Sequence, residues 1–320
     1  MRGMNNFWEK IDKPISALAP MAGFTDFSFR KICADFGADV VYSEMANVTA
    51  LTYQPAKTLE MLGPRHKKSY YVVQLFGSNV DHFKKAIKVV EKEIRPDGID
   101  INFGCPVPKV MKVKAGAELM KDLDLSYKVI KTSIEASKLP ISVKVRTKVG
   151  KITALDFIEK VKDLDIKAIM VHGRTFSQGF SGDIDCDMIQ KIKNTFKGIV
   201  LANGGINDKE RALEILRETG ADGLGIARGA LGHPWLFSQI KGDRKDYDNY
   251  KIISKAMIKH AKLVYKNKGD RGILEIRKHL PWYIQNMTGA KKIREKLVRV
   301  KTIEDVKKSL KPPFFIQKLF

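Results

Sequence analysis

The stretch from residue 97 to residue 106 reads DGIDINFGCP and joins a strand pattern to a reactive side chain. Its first part, Gly98–Asn102, is typical of a buried β-strand. The turn that follows carries Cys105 between Gly104 and Pro106. A free cysteine is most often a small buried hydrophobic residue, but a thiol at a strand end lies where a reacting molecule can reach it. Cys105 is therefore the first candidate for a functional residue.

Similar apolar runs recur on both sides of this stretch, and a helical pattern follows each of them. The predicted strands are Ile15–Pro20, Asp39–Ser43, Tyr70–Phe76, Gly98–Asn102, Ile141–Arg146, Ala168–His172, Ile199–Ala202 and Gly223–Ala227. Amphipathic stretches between them include Val80–Glu93, Leu125–Ser137, Ala154–Leu164 and Lys209–Thr219. This alternation predicts an α/β fold, a (β/α)8 or TIM barrel. A doubly wound sheet is the alternative, but a glycine fingerprint usually follows its first strand, whereas Ala19-Pro20-Met21-Ala22-Gly23 stands here.

The pattern changes from Lys241 onward, where basic helical stretches replace the strand runs. The predicted helices are Tyr250–Asn267, Arg271–Met287, Ala290–Val300 and Ile303–Leu310. Residues 241–320 hold 22 Lys and Arg against 8 Asp and Glu, a net charge of +14 out of +22 for the whole chain. Such a concentration of positive charge favours a polyanion, either nucleic acid or an acidic membrane face. The sequence predicts two domains, a barrel over 1–240 and a small all-α domain over 241–320.

Several classes of protein do not fit the composition. The three cysteines, Cys33, Cys105 and Cys186, are odd in number and far apart, which argues against a disulfide framework and for a reducing compartment. The first residues, MRGMNNFWEK, lack the apolar stretch of a signal peptide, and no apolar run approaches the length of a membrane span. No His, Cys or Asp cluster has the spacing of metal ligands. We expect a cytoplasmic protein without a metal.

The ends of the predicted strands carry polar or conformationally special residues, and the active site of such a barrel lies at the carboxyl ends of its strands. Glycines after strand seven, Gly204 and Gly205, leave backbone N–H groups free to approach an anion. Arg228 after strand eight adds a guanidinium that binds phosphate oxygens. Barrels frequently bind phosphate between these two loops. Lys144 lies inside strand five, where burial without a partner is costly, so we expect an anion near it.

Seven short motifs follow one another along the first 240 residues. They are Ala19-Pro20-Met21-Ala22-Gly23, Asp100-Ile101-Asn102-Phe103-Gly104-Cys105-Pro106 with Lys109 and Val110, Gly116-Ala117-Glu118-Leu119-Met120, Lys144-Val145-Arg146, Val171-His172-Gly173-Arg174-Thr175, Ala202-Asn203-Gly204-Gly205-Ile206 and Arg228-Gly229-Ala230-Leu231-Gly232. In this order and spacing they resemble the tRNA-dihydrouridine synthases, a family of flavin-dependent barrels. Arg277-Lys278-His279-Leu280-Pro281-Trp282-Tyr283 is similar to the motif of that family's helical tail.

The resemblance implies a reaction and a role for each matching residue. The family reduces the C5–C6 double bond of uridine in tRNA with FMN, which NADPH or NADH has reduced, and Cys105 would protonate C5 while the flavin delivers hydride to C6. The implied FMN contacts are Pro20, Met21, Ala22, Gln74, Lys144, His172, Asn203, Gly204, Gly205, Ala227 and Arg228. The implied tRNA contacts are Asn102, Lys109, Arg174, Arg277, Lys278 and His279. The family often has glycine where this chain has Ala227.

The chemistry of the residues agrees with that implication. Reduction of an alkene needs a hydride source that no side chain provides, so a cofactor is required. A thiol stays mostly protonated at neutral pH and can donate the accompanying proton. A positive group near the flavin pyrimidine ring would stabilise the reduced cofactor, and either Lys144 or His172 is a candidate for it.

Three alternatives remain open from the sequence. One is a flavin-dependent barrel that acts on a free pyrimidine or on dihydroorotate, which would not need a tail of net charge +14. Another is an RNA-binding protein whose barrel has lost catalysis. A third is an aldolase that forms a Schiff base at Lys144. We expect a monomer, because the basic tail has RNA as its natural partner.

Overall fold

A computed structural model describes residues 6–247, 249–285, 287 and 289–311. The chain divides into two compact units, Met1–Arg228 and Gly229–Phe320. The sequence predicted the domain boundary later, between residues 240 and 241. Residues 1–5 of the first predicted domain and residues 312–320 of the second lie outside the described part.

Eight parallel strands form a closed barrel in the first unit. They are β1 (Ile15–Leu18), β2 (Val40–Tyr42), β3 (Tyr70–Phe76), β4 (Gly98–Asn102), β5 (Ile141–Arg146), β6 (Ala168–His172), β7 (Ile199–Asn203) and β8 (Gly223–Ile226). Each strand pairs with the next along the chain, and β8 pairs with β1 to close the barrel. The predicted TIM barrel is therefore confirmed, and β3, β4, β5 and β6 have the predicted bounds.

Helices and short extra elements surround the strands. The helices of this unit are Phe27–Asp35, Val48–Tyr53, Pro55–Leu62, Val80–Glu93, Pro108–Met111, Ala117–Met120, Leu123–Ala136, Ala154–Lys160, Cys186–Thr195 and Lys209–Thr219, and the additional short strands are Ala46–Asn47, Lys148–Val149 and Ile152–Thr153. Several helices begin at a side chain that accepts a hydrogen bond from the first turn. Asn79, Asp122, Asp185 and Asp208 do so, which satisfies a backbone N–H that the helix leaves unpaired.

The apolar core of the barrel lies toward the amino ends of the strands. The 3-10 helix Phe7–Lys10 places Phe7 and Trp8 in this core together with inward side chains of the strands. The Phe7 ring stacks on Tyr70 with 4.6 Å between ring centroids. Because apolar residues fill this end, the polar inward residues of β3, β4, β5 and β7 collect near the carboxyl ends, where they shape the candidate site.

The regular secondary structure among the second unit's described residues is all helical. Its elements are the 3-10 turn Arg228–Ala230 at the boundary, the helices Leu236–Ile240, Tyr250–Ile276, Ala290–Leu297 and Ile303–Ser309, and the 3-10 helix Leu280–Ile284. Within Tyr250–Ile276, Gly269 leaves the helical conformation, with φ 59° and ψ −146°, so this element is two helices joined at a glycine. Pro281 has no N–H to donate to a helix, and the predicted helix Arg271–Met287 ends at Ile276 instead.

Trp235 explains why the second unit starts before residue 240. Its indole stacks on Tyr247 with an interplanar angle of 7° and lies 6.3 Å from the Tyr283 ring. Gly232 also packs closely against this unit. A Cβ on it would lie 2.1 Å from the Trp282 backbone, so there is no room for a side chain there. The segment after the barrel thus packs with the helices that follow it.

Candidate active site at the carboxyl ends of the strands

The strand register brings the predicted site residues together, although they are far apart in the sequence. Gln74 of β3 is opposite Asp100 of β4, and Asn102 is opposite Lys144 of β5. His172 is the last residue of β6, and it is opposite Arg146 of β5 on one side and Asn203 of β7 on the other. Parallel strands share one carboxyl edge, so these side chains line a single end of the barrel.

Cys105 lies in a turn whose backbone is held on both sides. Its N–H donates to Asn102 Oδ1 over 2.9 Å, and its carbonyl accepts from Ala117 N over 3.0 Å. The second contact depends on Gly116, which has φ 63° and where a Cβ would lie 2.8 Å from the Cys105 oxygen. The thiol is half-buried. It is therefore both positioned and within reach of a molecule at the rim.

Burial raises the pKa of the Cys105 thiol, and this effect exceeds the opposing influence of a hydrogen bond from Val107 and of the charges on Arg146 and Lys144. The thiol is protonated at neutral pH as a result. A protonated thiol is a proton donor and a poor nucleophile. The environment of Cys105 suits acid catalysis.

Three buried polar side chains form a chain of hydrogen bonds beneath Cys105. Asn102 Nδ2 donates to Gln74 Oε1 over 2.8 Å, and Gln74 Nε2 donates to Asp100 Oδ2 over 2.7 Å. Ser142 Oγ donates to the other carboxylate oxygen of Asp100 over 2.7 Å. Burial raises the pKa of Asp100 to about 6, against the lowering influence of these hydrogen bonds and of Lys144. At pH 7 and above Asp100 is mainly a carboxylate.

The Lys144 side chain points toward the carboxyl end of β7. Its Nζ donates to Asn203 Oδ1 over 3.0 Å, and Asn203 Nδ2 donates in turn to the Gly225 carbonyl over 2.6 Å. Burial and the nearby Arg146 charge lower the pKa of Lys144 to about 8, while Asp100 and Cys105 act in the opposite direction. Lys144 is therefore a cation at neutral pH with few protein partners for its charge, as expected of a residue that meets an anionic or electron-rich ligand.

His172 is uncharged, which decides between the two candidate cations. Burial is the largest cause, and the neighbouring charges of Lys144, Arg146, Arg174 and Arg228 add to it, so that the pKa of His172 falls to about 2. A protonated imidazole beside four cations is strongly disfavoured. Of the two side chains proposed as the positive group, only Lys144 carries a charge. His172 contributes a neutral imidazole.

The loop after β7 has the properties of an anion site. Gly204 and Gly205 both have positive φ, 111° and 68°, and within the described chain their N–H groups donate to no other residue. A Cβ on Gly204 would lie 2.9 Å from the His172 ring and 2.9 Å from Ile184, so only glycine fits there. The pairing of Asn203 with Gly225 puts the loops after β7 and β8 side by side. The geometry suits a phosphate group.

The remaining predicted cofactor contacts lie on the loops that follow β1 and β8. Pro20 and Met21 are half-buried and Ala22 is exposed. Ala227 is half-buried directly after β8, and the exposed Arg228 lies with its guanidinium 5.1 Å from the Phe180 ring. These residues surround the same carboxyl end of the barrel as Lys144 and the Gly204 loop.

The three predicted tRNA contacts of the barrel unit differ in burial. Asn102 is buried below Cys105, and Arg174 is buried with its Nε donating to the Gly182 carbonyl over 2.8 Å. Lys109 is exposed on the helix Pro108–Met111.

The other three predicted tRNA contacts belong to the helical unit, and they differ in exposure. Arg277 Nε donates to the Val300 carbonyl over 2.7 Å. His279 is only 3% exposed, and its ring lies 4.9 Å from the ring of His260. Lys278 is exposed. Of these three, Lys278 is the exposed one.

Arg146 is a structural residue of the site to which the sequence assigned no role, although it belongs to the Lys144-Val145-Arg146 motif. It is 1% exposed, and its guanidinium donates to the carbonyls of Gly104, Thr175 and Gly179 over 2.8, 2.9 and 3.0 Å. It therefore ties the Cys105 turn to the loop after β6. An arginine inside a strand was the available signal, because such a residue needs buried acceptors.

Two further findings concern metal ligands and membrane-spanning helices. The described residues contain no group of three or more His, Cys, Asp and Glu side chains that could hold a metal ion. Over the same ranges, no helix is both long and apolar enough to cross a membrane.

Comparisons with known proteins extend over nearly the whole chain. The sequence profile of the dihydrouridine synthases matches residues 17–318. A probable tRNA-dihydrouridine synthase of Helicobacter pylori strain 26695 is 34% identical over 305 residues, which are 94% of this chain and 92% of the relative. The tRNA-dihydrouridine synthase B of Pasteurella multocida is 32% identical over 280 residues, covering 84% and 83% of the two chains.

Solved structures with the same fold are more distant in sequence. Histamine dehydrogenase from Rhizobium sp. 4-9 superposes with a TM-score of 0.55 at 12% identity, covering 78% of this chain and 48% of that one. The old yellow enzyme from Trypanosoma cruzi gives a TM-score of 0.51 at 11% identity, covering 74% and 91%. These likenesses concern the barrel fold.

Proposed function

This chain belongs to the dihydrouridine synthase family, and we propose that it reduces the C5–C6 double bond of a uridine in tRNA, with FMN as its cofactor and NADPH or NADH as the reductant. The observation that carries the proposal is Cys105, a half-buried thiol kept protonated by burial at the carboxyl rim of the barrel. A proton donor in that place is what the reduction of an uracil ring requires of the protein.

The residues present fit FMN. The free N–H groups of Gly204 and Gly205 and the exposed Arg228 suit its phosphate. The charged Lys144 suits the electron-rich pyrimidine end of its ring system. Pro20, Met21, Gln74, neutral His172 and Ala227 would complete the surroundings. When bound and reduced, FMN supplies the hydride for C6 of the base.

The protein's own residues perform the other half of the reaction. The Cys105 thiol gives its proton to C5 of the base, and the resulting thiolate takes a proton from solvent before the next turnover. The positive charges of Arg146 and Lys144, which act to lower the thiol pKa, stabilise that thiolate while it exists. Asn102 and Arg146 hold the turn around Cys105 from two directions, so the thiol stays aligned with C5.

A cationic loop next to Cys105 suits the RNA on either side of the target base. Lys109, Lys112 and Lys114 are exposed, and none of them forms an ion pair with a described residue. Their loop is anchored where Ser78 Oγ donates to the Val113 carbonyl over 2.8 Å. Unpaired lysines on an anchored loop favour phosphate binding, because less ordering is needed when the RNA binds.

We also propose a division of labour between the two parts of the chain. Residues 1–240 would form the catalytic, FMN-binding part, and residues 241–320, with their net charge of +14, the tRNA-binding part. Such a charge suits the phosphates of a folded RNA. We propose that the protein acts as a monomer in the cytoplasm, where tRNA is available to it.

The experiment that tests the function uses the full chain. The purified protein is expected to be yellow, with flavin absorbance, and to convert uridine to dihydrouridine in tRNA that lacks this modification when NADPH or NADH is added. Mass spectrometry of the digested tRNA detects the gain of two hydrogen atoms. A colourless protein that binds tRNA without changing it would support the RNA-binding alternative. Comparable turnover of free uracil or dihydroorotate would support the free-pyrimidine alternative.

Replacement of Lys109, Lys112 and Lys114 by Ala is expected to weaken tRNA binding and to reduce its salt dependence. Each lost phosphate contact lowers the slope of log K against log salt by nearly one, so the triple variant should lose about 2 to 3 units of slope. The measurement is a binding titration at several salt concentrations. The matched control replaces the exposed lysines Lys138, Lys191 and Lys197. Equal slopes for both triple variants would contradict a role for the loop.

A further inference from the structure

Asp100 is a buried carboxylate for which the proposed reaction has no direct use. It is 0% exposed and lies inside the barrel, one chain of hydrogen bonds away from Cys105. Burying a charged group costs desolvation free energy unless hydrogen bonds or an ion partner compensate for it. The hydrogen-bond partners of Asp100 therefore indicate its role.

The hydrogen bonds between Cys105 and Asp100 all run in one direction. The N–H groups of Cys105 and Gly104 donate to Asn102 Oδ1 over 2.9 and 3.1 Å. Asn102 Nδ2 donates to Gln74 Oε1, and Gln74 Nε2 donates to Asp100. Each amide in the middle accepts at one end and donates at the other.

This direction follows from the chemistry of the two ends. A carboxylate accepts hydrogen bonds only, so Gln74 must turn its NH₂ group toward Asp100. The Gln74 oxygen then faces Asn102, whose NH₂ group must meet it. The Asn102 oxygen is left facing the backbone of the Cys105 turn, which has only N–H groups to offer. A second donor, Ser142, occupies the other oxygen of Asp100 and keeps the carboxylate in place.

We propose that Asp100 is a positioning residue, which holds the peptide of Cys105 in its reactive place by setting the orientation of the Gln74 and Asn102 amides. The proposal rests on the proposed role of Cys105 as proton donor. Chains of buried hydrogen bonds strengthen one another, and a charged terminus strengthens them most. The effect of Asp100 is therefore transmitted over two side chains to the turn.

The test is Asp100→Asn in the full-length flavoprotein. Asparagine has the same shape, but it carries no charge and can present either oxygen or nitrogen to Gln74. Reoxidation of the reduced flavin by tRNA is expected to slow on the order of tenfold, because small misplacements of a reacting group have large effects on rate. Reduction of the flavin by NADPH is expected to change less than this reoxidation, since Cys105 takes no part in it.

Stability separates positioning from a merely structural role. Because burial raises the pKa of Asp100 to about 6, above its value in the unfolded chain, the folded protein loses stability as pH rises through the range from about 4 to 6. Asp100→Asn removes this loss. The variant is therefore expected to melt at the same temperature as the wild type, or higher, at pH 8, although it reacts more slowly. A purely structural residue would lose stability and rate together.

Alkylation of Cys105 by iodoacetamide gives a readout that does not depend on tRNA reduction. The rate at Cys105, followed by mass spectrometry, is expected to change about threefold or more in Asp100→Asn, because thiol reactivity depends on local placement and hydrogen bonding. The double variant Asp100→Asn with Gln74→Glu restores an acceptor-only group that faces Asn102. It is expected to return the alkylation rate toward that of the wild type.

Asp97→Asn is the matched control, since Asp97 immediately precedes the same strand at the other end of the barrel. It accepts from Tyr71 N over 2.8 Å and pairs with Arg65 at 3.0 Å. The proposal is overturned if Asp100→Asn reacts with tRNA and iodoacetamide as the wild type does, or if Asp97→Asn slows both to the same extent. If the wild type makes no dihydrouridine, the proposed function fails, while the alkylation rates still report on the positioning of Cys105.

Discussion

Cys105→Ala is expected to lower the rate of dihydrouridine formation in tRNA by about 10² to 10⁴, the usual contribution of a general acid. The variant keeps the flavin site, so NADPH is expected to reduce the bound flavin at the wild-type rate. The thiol is held protonated by burial, and no other thiol is positioned to replace it, because Cys33 is fully buried and Cys186 begins an outer helix. Stopped-flow absorbance measures the two half-reactions separately.

Cys186→Ala is the control for this prediction, because it removes a thiol of similar exposure without touching the rim of the barrel. Its rates are expected to equal those of the wild type. Cys105→Ser is expected to fall between Cys105→Ala and the wild type, since a hydroxyl is a much weaker acid than a thiol. If Cys105→Ala reduces tRNA as fast as the wild type, another group donates the proton and the proposed role of Cys105 is wrong.

Lys144→Met is expected to slow turnover by about 10²-fold, the effect of removing one preorganised charge from a site where negative charge develops. The variant is also expected to lower the reduction potential of the bound flavin, because a nearby cation stabilises the reduced form. Spectroelectrochemical titration measures the potential independently of turnover. Lys148→Met, at the exposed position of the short strand Lys148–Val149 just after β5, is the control and should change neither quantity.

The charge of Lys144 also predicts the alkaline side of the pH profile. Burial lowers the pKa of Lys144 to about 8, so the protonated fraction, and with it the rate, falls as pH rises above about 8. Lys144→Arg keeps a positive charge above pH 8, so the rate of this variant is expected to stay constant as pH rises. Its maximum rate is expected to be lower than that of the wild type, because a guanidinium differs in geometry from an ammonium. A wild-type rate that stays constant to pH 10 would contradict the role of Lys144 as the cation of the site.

The sequence predicted the barrel well because each buried strand carries its own signal. The runs at Tyr70–Phe76 and Gly98–Asn102 are mostly apolar or β-branched and end at turn residues, and their bounds are confirmed. At β1 the prediction ran on to Pro20, whereas the strand ends at Leu18. The family that the motifs indicated is confirmed as well.

Placement at one rim was also predictable, since parallel strands share a carboxyl end. The electrostatics of the rim were not. That His172 is neutral depends partly on charges from Lys144, Arg146, Arg174 and Arg228. These come from β5 and from the segments after β6 and β8, and they meet only in the folded barrel. The partners of Asp100 likewise come from β3 and β5. No spacing along the chain encodes such contacts, because they exist only once the strands have come together.

The cations around His172 have a consequence for how the enzyme responds to its surroundings. They remove from the site the side chain that ordinarily changes charge near neutral pH. The nearest titrations left in the chamber are those of Asp100, at about 6, and Lys144, at about 8. Near neutral pH Asp100 is mainly a carboxylate and Lys144 is mainly an ammonium. The charge of the site therefore changes less around neutral pH than it would if His172 also titrated there, and the rate of modification is correspondingly less sensitive to pH.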